Sequence, residues 1–375
     1  MWLFYSAKKG AEKMNEKYMK RAIELALKGT GYVNPNPLVG AVIVKNNKII
    51  GQGYHMKYGQ AHAEVNAINS AKEDIKDSTV YVTLEPCSHF GKTPPCADNL
   101  IRHKVKRVVI CNTDPNPLVA GGGIKKLRES GIEVTTGILK EEGLKLNEVF
   151  FHYIKNNKPL VISKTAVSMD GKIATKHMES KWISNEKSRQ MTHEFRNKYM
   201  AIMVGINTVL KDNPSLTTRI ENQKTRNPIR IVIDTNLKIP MDLNLVKDKK
   251  AKTIIFTCKN DLSKIDLLKE NNVDVYISPK DESGVDLDFV IKKLGELKID
   301  SVLVEGGATL NDSLFRKNLV DKVKIFMAPK IIGGKDAPSF VSGMGIESLS
   351  DATNLHITNT TMIDNDILIE ADVIK

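Results

Sequence analysis

The stretch His62-Ala63-Glu64, followed by Glu85-Pro86-Cys87 and Pro94-Pro95-Cys96, is the most informative part of this chain of 375 residues. One histidine and two cysteines supply the three protein ligands of a catalytic zinc ion, which keeps its fourth position for water. A glutamate two residues after the histidine can transfer protons beside such a site. The combination is typical of hydrolytic deaminases, whose signature joins H-x-E to P-C-x-x-C. Here eight residues separate the cysteines instead of two.

The local pattern places two of the three ligands at helix starts. Residues 38–44 form an apolar run typical of a strand, and residues 63–71 have the apolar spacing of a helix, so His62 lies near a helix N-terminus. Cys96 follows two prolines and precedes a second helical segment. Helix N-termini carry partial positive charge, which favours the thiolate form that zinc requires.

A structural zinc site, or a pair of ordinary buried thiols, is the alternative interpretation of Cys87 and Cys96. A structural site needs a fourth Cys or His nearby, and His55 or His89 could supply it. Glu64 stands where catalysis requires a proton carrier, and this favours the catalytic interpretation.

Composition limits the class of protein. The chain is long enough for two domains with separate cores. Four cysteines, two of them assigned to metal, leave no disulfide framework, so we expect a reducing cytoplasm. Cys111 and Cys258 end strand-like runs and are expected in the core. No apolar run approaches membrane-spanning length, and we expect neither a membrane segment nor a signal peptide.

The formal net charge of +12 raises the question of a nucleic-acid partner. The lysines are scattered along the chain, however, and no basic cluster with interleaved aromatic residues occurs. We therefore expect a small phosphorylated substrate and no nucleic acid.

The order of predicted elements divides the chain into two α/β halves. Residues 1–13 look like an N-terminal extension, residues 14–155 form the first domain, and residues 159–375 form the second, after the polar break at 155–159. The first domain alternates helix and strand, which favours helices on both faces of a mostly parallel sheet. Its predicted elements are helices at 17–27, 63–71, 97–101, 124–130 and 139–153, and strands at 39–44, 49–54, 79–84, 107–111 and 132–136.

The second half contains a possible phosphate-binding turn. Predicted strands lie at 160–165, 201–204, 230–234, 253–257, 273–277, 301–305 and 322–328, and a hairpin is predicted around Asp364–Asp366. Residues 302–310 join a buried strand to a helix through the pair Gly306-Gly307. Glycines permit close backbone approach, and a helix N-terminus suits a phosphate. A tight turn without ligand explains the pair equally well, and Gly121-Gly122-Gly123 is a weaker signal of the same kind.

Taken in order, these pieces closely resemble a family of bifunctional riboflavin-biosynthesis proteins, in which an N-terminal pyrimidine deaminase is fused to a C-terminal reductase. The resemblance covers nearly all of the chain from Met14 onwards, and the long spacer between the cysteines separates this family from transfer-RNA and cytidine deaminases. The motifs of the first half are Asn34-Pro35-Asn36-Pro37-Leu38-Val39-Gly40, His62-Ala63-Glu64, the run from Tyr81 to Cys96, and Asp114-Pro115-Asn116-Pro117. Those of the second half are Ser168-Met169-Asp170-Gly171, Ser180-Lys181-Trp182-Ile183, the run from Thr208 to Pro214, the run from Arg230 to Asp234, and Val304-Glu305-Gly306-Gly307.

For the first half, the resemblance implies a cytidine-deaminase-like α/β/α domain. It implies that His62, Cys87 and Cys96 bind zinc and that Glu64 is the proton shuttle. The positions that it implies around the pyrimidine and its phosphate are Asn36, His55, His89, Lys92, Asp114 and Asn116.

For the second half, it implies a dihydrofolate-reductase-like α/β domain that binds NADPH, and a homo-oligomer. The positions implied for NADPH are Ala166, Trp182, Thr208, Asp212, Thr235, Gly307, Ala308, Thr309, Leu310, Asn311, Asp312 and Ser313. Those implied for the substrate are Ser180, Arg196, Leu216, Arg219 and Glu305. Guanidinium groups suit the ribose phosphate, although a solvated helix face also explains Arg196. Candidates for the acid that completes reduction are Lys164, Asp170, Asp212 and Glu305.

The implied reactions are the zinc-dependent hydrolytic deamination of 2,5-diamino-6-(5-phosphoribosylamino)pyrimidin-4(3H)-one and the NADPH-dependent reduction of the ribosyl group of 5-amino-6-(5-phosphoribosylamino)uracil to ribityl. Three alternatives stay open at this point. They are a monofunctional nucleotide or transfer-RNA deaminase with an accessory domain, a non-catalytic zinc protein that binds nucleic acid, and a fusion whose reductase half has lost activity.

Overall fold

The computed structural model describes residues 2–88, 94–116, 120–222 and 225–375. The chain divides into two compact units, Met1–Asn156 and Asn157–Lys375. None of the helices in the described ranges combines the length and the hydropathy that a membrane span requires.

The first unit contains six helices and five strands among its described residues. In chain order they are α1 Trp2–Leu27, β1 Gly40–Lys45, β2 Lys48–Tyr54, α2 Ala63–Asn69, β3 Thr79–Leu84, α3 Cys96–Arg102, β4 Arg107–Asn112, α4 Gly122–Glu129, β5 Glu133–Thr136, α5 Lys140–Leu146 and α6 Glu148–Asn156.

The sheet of the first unit has the strand order β2-β1-β3-β4-β5. Strands β3, β4 and β5 are parallel, whereas β1 is antiparallel to both β2 and β3. The sheet is therefore mixed, and the prediction of a mostly parallel sheet was wrong for its β1–β2 side. Asn46 and Asn47 explain the hairpin, because both adopt positive φ (50° and 60°), a conformation that asparagine tolerates in a two-residue turn.

Alternating strand residues build a core on each face of this sheet. Ile43, Val82 and Ile110 belong to the core that includes residues of α2, α3 and α4. Val42 and Val109 face the other way and pack with residues of α1. Helices thus cover both faces, which confirms the predicted α/β/α architecture. Full burial of each such side chain contributes roughly 1.5–3 kcal/mol to folding.

The first helix is longer than predicted. The expected range was 17–27, but α1 begins at Trp2. Between Trp2 and Lys17 only Gly10 disfavours a helix, at a cost of about 1 kcal/mol. Once the later turns are packed against the sheet, extension of the helix needs no new nucleus. From Trp2 onwards, the predicted extension therefore lies in the same helix as the start of the domain.

The predicted helix at 139–153 is in fact two helices, α5 and α6, separated at Asn147. The buried Asn147 side chain bonds to the backbone of Leu38 on a distant loop. The Leu38 N–H donates to Asn147 Oδ1 (2.8 Å), and Asn147 Nδ2 donates to the Leu38 carbonyl (2.9 Å). This pair fixes the loop that carries Asn36.

The second unit contains the remaining elements. They are β6 Leu160–Ser168, α7 Glu186–Lys198, β7 Ala201–Gly205, α8 Ile206–Asp212, β8 Ile229–Ile233, α9 Asn244–Lys247, β9 Thr253–Thr257, α10 Leu262–Glu270, β10 Val273–Ile277, β11 Lys280–Asp281, β12 Gly284–Val285, α11 Leu287–Glu296, β13 Ser301–Val304, α12 Ala308–Arg316, β14 Lys322–Ala328, a 3-10 turn Leu349–Asp351, β15 Leu355–Ile363 and β16 Asp366–Val373.

Nine of these strands form one sheet in the order β10-β9-β8-β7-β13-β6-β14-β16-β15. The seven from β10 to β14 run parallel, and β16 and β15 complete the sheet as an antiparallel hairpin, as predicted. Ligands of such sheets bind at the carboxyl ends of the parallel strands. In this unit, that edge brings together Gly205, Thr235 and Glu305, which lie at or just beyond the ends of β7, β8 and β13.

Candidate active sites

A His–Cys–Cys cluster lies at the N-termini of two helices in the first unit. His62 is the N-cap residue of α2, Cys96 is the first residue of α3, and Cys87 lies in the loop after β3. His62 Nδ1 is 3.6 Å from Cys87 Sγ and 3.4 Å from Cys96 Sγ. All three ligand atoms lie within 4.8 Å of one another. Tetrahedral zinc holds its ligand atoms roughly 3.3–3.8 Å apart, so the cluster fits this metal.

The cluster holds one thiolate and one thiol, because the hydrogen bond between the two cysteines lowers the pKa of Cys87 and raises that of Cys96. The Cys96 thiol hydrogen-bonds to Cys87 and lowers the Cys87 pKa to about 4. The backbone N–H of Cys96 also donates to Cys87 Sγ, at 3.3 Å. One thiolate is therefore available at neutral pH, and the thiolate is the form that binds metal.

Glu64 lies in the first turn of α2 with only 4% of its surface exposed. Burial raises the pKa of its carboxyl to about 7. A group with a pKa near the working pH can both accept and donate a proton. Glu64 is thus suited to proton transfer beside the cluster.

Asn36 and His55 form a hydrogen-bonded pair near the cluster. His55 Nδ1 lies 3.1 Å from the Ala61 carbonyl, which can only accept, so Nδ1 carries the proton. His55 Nε2 then accepts from Asn36 Nδ2 at 3.3 Å. Burial lowers the pKa of His55, so the ring stays neutral. Because both of its nitrogens have partners, His55 is not a fourth ligand. The His55 and His62 ring centroids are 5.6 Å apart.

The other predicted pyrimidine-site residues lie on two loops. Asp114 and Asn116 lie on the loop after β4, where Asp114 Oδ1 accepts from the Asn116 N–H (2.9 Å). His89 and Lys92 fall outside the described residues, so their predicted roles, including His89 as a fourth ligand, stay predictions. Sequence reasoning missed Glu85, whose buried carboxylate bonds to the backbone of the Asp114 loop.

A cavity of about 500 Å³ opens in the second unit at the carboxyl ends of β7, β8 and β13, beside the N-terminus of α12. Lys211 and Asn207 also line it, although no motif pointed to them. The predicted cofactor residues that line this cavity are Thr208, Asp212, Thr235, Gly307, Ala308, Thr309, Leu310 and Ser313.

The glycines of this cavity leave room for a phosphate group. A Cβ added to Gly307 would have Thr208 Oγ1 as its nearest neighbour at 3.9 Å, and one added to Gly205 would meet nothing within 4 Å. Gly307 caps α12, whose first N–H groups have no partner within the helix. Such a helix start binds phosphate, so the cavity fits the pyrophosphate of a dinucleotide.

Three predicted residues line neither cavity of this unit. Leu216 is buried in the core. Asn311 Nδ2 donates to the Phe340 carbonyl at 2.9 Å, and Asp312 pairs with Arg316 Nε at 2.9 Å. Asn311 thus supports the segment around Phe340, and Asp312 pairs within α12; neither side chain lines the cavity.

A second cavity, of about 340 Å³, adjoins the first and shares Ile173 and Ser180 with it. It brings together residues predicted for both ligands. These are Ala166 and Trp182 from the cofactor set, and Ser180, Arg196, Arg219 and Glu305 from the substrate set.

Charged groups dominate the second cavity. Arg196 Nε and Nη2 donate to the two oxygens of Glu305 at 2.7 and 2.9 Å. Lys164 Nζ lies 3.7 Å from Glu305 Oε2. Burial alone would raise the pKa of Glu305, but Arg196 and Lys164 lower it to about 2. Burial lowers the pKa of Lys164. Glu305 is therefore ionised at neutral pH, and Lys164 loses its proton more readily than an exposed lysine.

Sequence reasoning missed two further residues of this cavity, Arg189 and His193. They lie seven and three residues before Arg196 on α7, so all three share one helix face. Arg189 stacks on the exposed ring of Trp182, 4.6 Å from its centroid. This helical spacing of basic residues was visible in the sequence, but a solvated helix face predicts the same pattern.

Two family models match two successive segments of the chain, one in each unit. The model of the cytidine and deoxycytidylate deaminase zinc-binding region matches residues 12–112, and that of the RibD C-terminal domain matches residues 159–369. Among known proteins, the riboflavin biosynthesis protein RibD of Actinobacillus pleuropneumoniae is 49% identical over 96% of this chain and 95% of its own length. The protein of the same name from Bacillus amyloliquefaciens is 45% identical over 96% of each chain.

Solved structures agree with these matches. A diaminohydroxyphosphoribosylaminopyrimidine deaminase/5-amino-6-(5-phosphoribosylamino)uracil reductase from Thermotoga maritima is 40% identical, with a TM-score of 0.86, over 97% of this chain and all (100%) of that one. Acinetobacter baumannii RibD is 33% identical, with a TM-score of 0.88 and the same coverage. The similarity spans both the His–Cys–Cys cluster and the two cavities.

Proposed function

The chain belongs to the RibD family of riboflavin biosynthesis proteins, and we propose that it catalyses both reactions named for its Thermotoga relative. The first is deamination of the diaminopyrimidine ribose phosphate, and the second is reduction of the resulting aminouracil. The observation that carries this proposal is the 40% identity to that enzyme over 97% of the chain, which includes the cluster and both cavities. A monofunctional deaminase with an unrelated accessory domain is not favoured, because the relatives match both halves.

We assign deamination to residues 14–155. His62, Cys87 and Cys96 hold zinc, which acts when bound as a Lewis acid that makes water reactive at neutral pH. Glu64 accepts a proton from the attacking water and delivers it to the departing amine. Its pKa of about 7 allows both transfers without a large free-energy cost.

The pyrimidine is oriented by side chains around the cluster. The hydrogen bond to His55 fixes the Asn36 side chain. The Asn36 amide therefore presents a defined donor and a defined acceptor to the pyrimidine ring. Asp114 and Asn116 approach from the loop after β4. By family resemblance, His89 and Lys92 complete the pyrimidine and phosphate contacts.

We assign reduction to residues 159–375. The larger of the two cavities in this unit would hold NADPH, with Gly307 and the first turn of α12 binding its phosphates, and bound NADPH would supply the hydride. The sugar of the substrate occupies the adjoining cavity. Ser180 lines both cavities, and this supports the binding of the two ligands side by side.

Lys164 is our candidate for the acid that completes reduction. Glu305 is held ionised by Arg196 and has no proton to give near neutral pH. Asp170 accepts the Ser168 hydroxyl (2.6 Å) and the Gly333 N–H (2.7 Å), so it anchors a loop. Asp212 is exposed and lines the cofactor cavity instead of the substrate cavity. Lys164 lines the substrate cavity, is largely buried, with 12% of its side chain exposed, and has a lowered pKa.

Arg219 is the cation that we assign to the ribose phosphate of the second reaction. Two guanidinium nitrogens of Arg196 already donate to Glu305, and the third donates to the Thr217 carbonyl (3.2 Å). Among the described residues, the Arg219 side chain has no ion-pair partner. It therefore keeps its charge for a ligand, and bidentate binding suits a phosphate.

We also propose that the enzyme is a homo-oligomer and that it acts in the cytoplasm. Strand β15 ends the nine-stranded sheet, and its Leu355, Ile357 and Met362 are exposed. An exposed apolar edge strand is a site for pairing with a second copy. None of the four cysteines forms a disulfide, which supports a reducing compartment. Ile357→Lys should lower the mass measured by light scattering; an unchanged mass would contradict this interface.

The two activities can be tested separately in one protein. Ammonia release from the diaminopyrimidine ribose phosphate should need zinc but not NADPH. NADPH oxidation should begin only when the deaminated intermediate is present or has been formed. Ammonia release without any NADPH oxidation would leave the first assignment standing and refute the second.

A further inference from the structure

Glu85 is a buried carboxylate that the chemistry of neither site uses. It follows β3 directly and precedes Cys87 by two residues, and only 4% of its surface is exposed. Its Oε1 accepts from the N–H groups of Gly123 (3.0 Å) and Ile124 (3.2 Å). Its Oε2 accepts from those of Asp114 (3.3 Å) and Gly121 (3.1 Å). All four donors are backbone N–H groups, and within the described ranges no side chain hydrogen-bonds to the Glu85 carboxylate.

The triglycine turn at the start of α4 is shaped to fit this carboxylate. A Cβ added to Gly123 would lie 2.0 Å from the Pro86 carbonyl oxygen, and one added to Gly122 would lie 2.7 Å from Ser88 Oγ. Glycine is therefore required for α4 to approach the segment 85–88. A glycine-rich helix start is an anion site, and here the anion is the protein's own carboxylate.

The same carboxylate fixes the loop that carries two predicted pyrimidine-site residues. Glu85 binds the backbone of Asp114, and Asp114 Oδ1 in turn accepts from the Asn116 N–H (2.9 Å). The Asn116 carbonyl then accepts from the Ala120 N–H (2.8 Å), just before the triglycine turn. The hydrogen bonds run from the zinc-ligand segment through this loop to α4.

We propose that Glu85 is a positioning residue of the deaminase site, which couples the segment carrying Cys87 to the loop carrying Asp114 and Asn116. The proposal rests on the deaminase function proposed above. Glu85 acts by holding the substrate loop at a fixed distance from the metal ligands. Its effect is therefore on substrate binding, not on zinc binding or proton transfer.

The charge and the acceptor-only character of the carboxylate are both needed. An ionised carboxylate has about four lone-pair sites, which matches the four N–H donors. In Glu85→Gln, the side-chain NH₂ would face two of these donors and repel them. The loop or the start of α4 would then move away from Cys87.

The test compares Glu85→Gln with wild type in the full chain. We expect the deaminase KM to rise by up to about 100-fold, as displacement of positioning groups does, with kcat much less affected. The affinity for the deaminated product, measured by calorimetry without turnover, should fall by a similar factor. The zinc content and the reductase rate should stay at wild-type values, because neither depends on the loop.

Gly123→Ala provides a second variant that leaves the carboxylate in place. The added methyl group would push the first turn of α4 away from the Pro86 carbonyl. This variant should therefore also raise the deaminase KM while zinc is retained. An unchanged KM in both variants would overturn the proposal. Loss of zinc, or an equal loss of both activities, would show a general folding role and would also overturn it. Failure of the proposed function itself would appear separately, as a wild-type protein that does not deaminate.

Discussion

Arg196 and Glu305, which are 109 residues apart in the sequence, form a doubly hydrogen-bonded ion pair in the wall of the reductase cavity. Their side chains are only 14% and 13% exposed, so the pair is largely removed from solvent. Lys164 stands 3.7 Å from the same carboxylate. The pair joins α7 to the end of β13 and sets the charge of the cavity proposed for the substrate sugar.

Loss of Arg196 should destabilise the second unit. Arg196→Gln leaves the Glu305 carboxylate buried without its main partner, which costs about 3–5 kcal/mol in comparable pairs. Hydrogen exchange of peptides from α7 and β13 measures the local free energy of opening. Lys187→Ala is the control, because the Lys187–Asp364 pair is 65% and 50% exposed and should contribute less than about 1 kcal/mol. Equal losses of local stability in Arg196→Gln and Lys187→Ala would contradict the structural role of the Arg196–Glu305 pair.

The second unit should lose stability as pH falls from 6.5 to 4. Burial, and then the nearby Arg196 and Arg219, lower the pKa of His193 from 6.5 to about 4. The unfolded chain therefore binds this proton near pH 6.5, whereas the folded chain resists it until about pH 4, and unfolding is favoured in between. The stability contributed by neutral His193 is complete above pH 6.5. Glu305, with a pKa of about 2, adds a further loss only below its ordinary value of 4.5.

His193→Gln should flatten this pH dependence. Glutamine can still accept the Arg219 N–H that bonds to His193 Nδ1 at 3.3 Å, but it cannot titrate. Urea midpoints at several pH values between 7 and 4 provide the measurement. An equally steep fall of the urea midpoint with pH in His193→Gln and in wild type would contradict this account.

Glu64→Gln should keep zinc and abolish deamination. The amide retains the size of the carboxyl but cannot carry the proton, and general acid–base catalysis contributes about 10²–10⁴-fold. Metal analysis, ammonia release and reduction of a supplied deaminated intermediate are measured on the same sample. Cys96→Ser is the matched control and should lose zinc. Loss of zinc from Glu64→Gln would make Glu64 a structural residue.

Gly307→Val should weaken NADPH binding and leave deamination intact. The nearest atom to an added Cβ is Thr208 Oγ1 at 3.9 Å, so alanine fits but the branches of valine crowd the start of α12. NADPH affinity is measured by fluorescence for Gly307→Val and for the control Gly307→Ala. If valine binds NADPH as well as alanine does, the pyrophosphate lies elsewhere.

Lys164→Met should abolish reduction without weakening NADPH binding. Methionine fills the buried volume but cannot donate a proton, and the expected loss of rate is about 10²–10⁴-fold. Stopped-flow oxidation of NADPH with saturating intermediate reports the chemical step. A wild-type rate in this variant would return the proton-donor role to Asp212 or to water.

Short-range patterns made the architecture and the metal cluster predictable. His62 and Cys96 were expected at helix starts because apolar periodicity and the two prolines mark those positions locally. The strands β3, β9, β10 and β14 were predicted at their exact limits. Strands β3 and β9 are buried along nearly their whole length, and continuous apolar runs reveal such strands.

Contacts between distant residues could not be predicted in the same way. The bond between Asn147 and Leu38, which separates α5 from α6, joins positions 109 residues apart. The four N–H groups around Glu85 come from a loop and a turn whose approach depends on the packed sheet. The family resemblance implied Asn311 at the cofactor, yet its side chain turns toward Phe340. A sequence pattern identifies the helix but not the direction that each side chain takes after packing.

The most direct test of the central claim is the mass of the product formed when the pure protein acts on the diaminopyrimidine ribose phosphate with NADPH. The account predicts replacement of one amino group by oxygen together with the gain of two hydrogens, both dependent on this single chain. Replacement of the amino group alone would contradict the assignment of the second unit. No change in mass, in protein shown to contain zinc, would contradict the account as a whole.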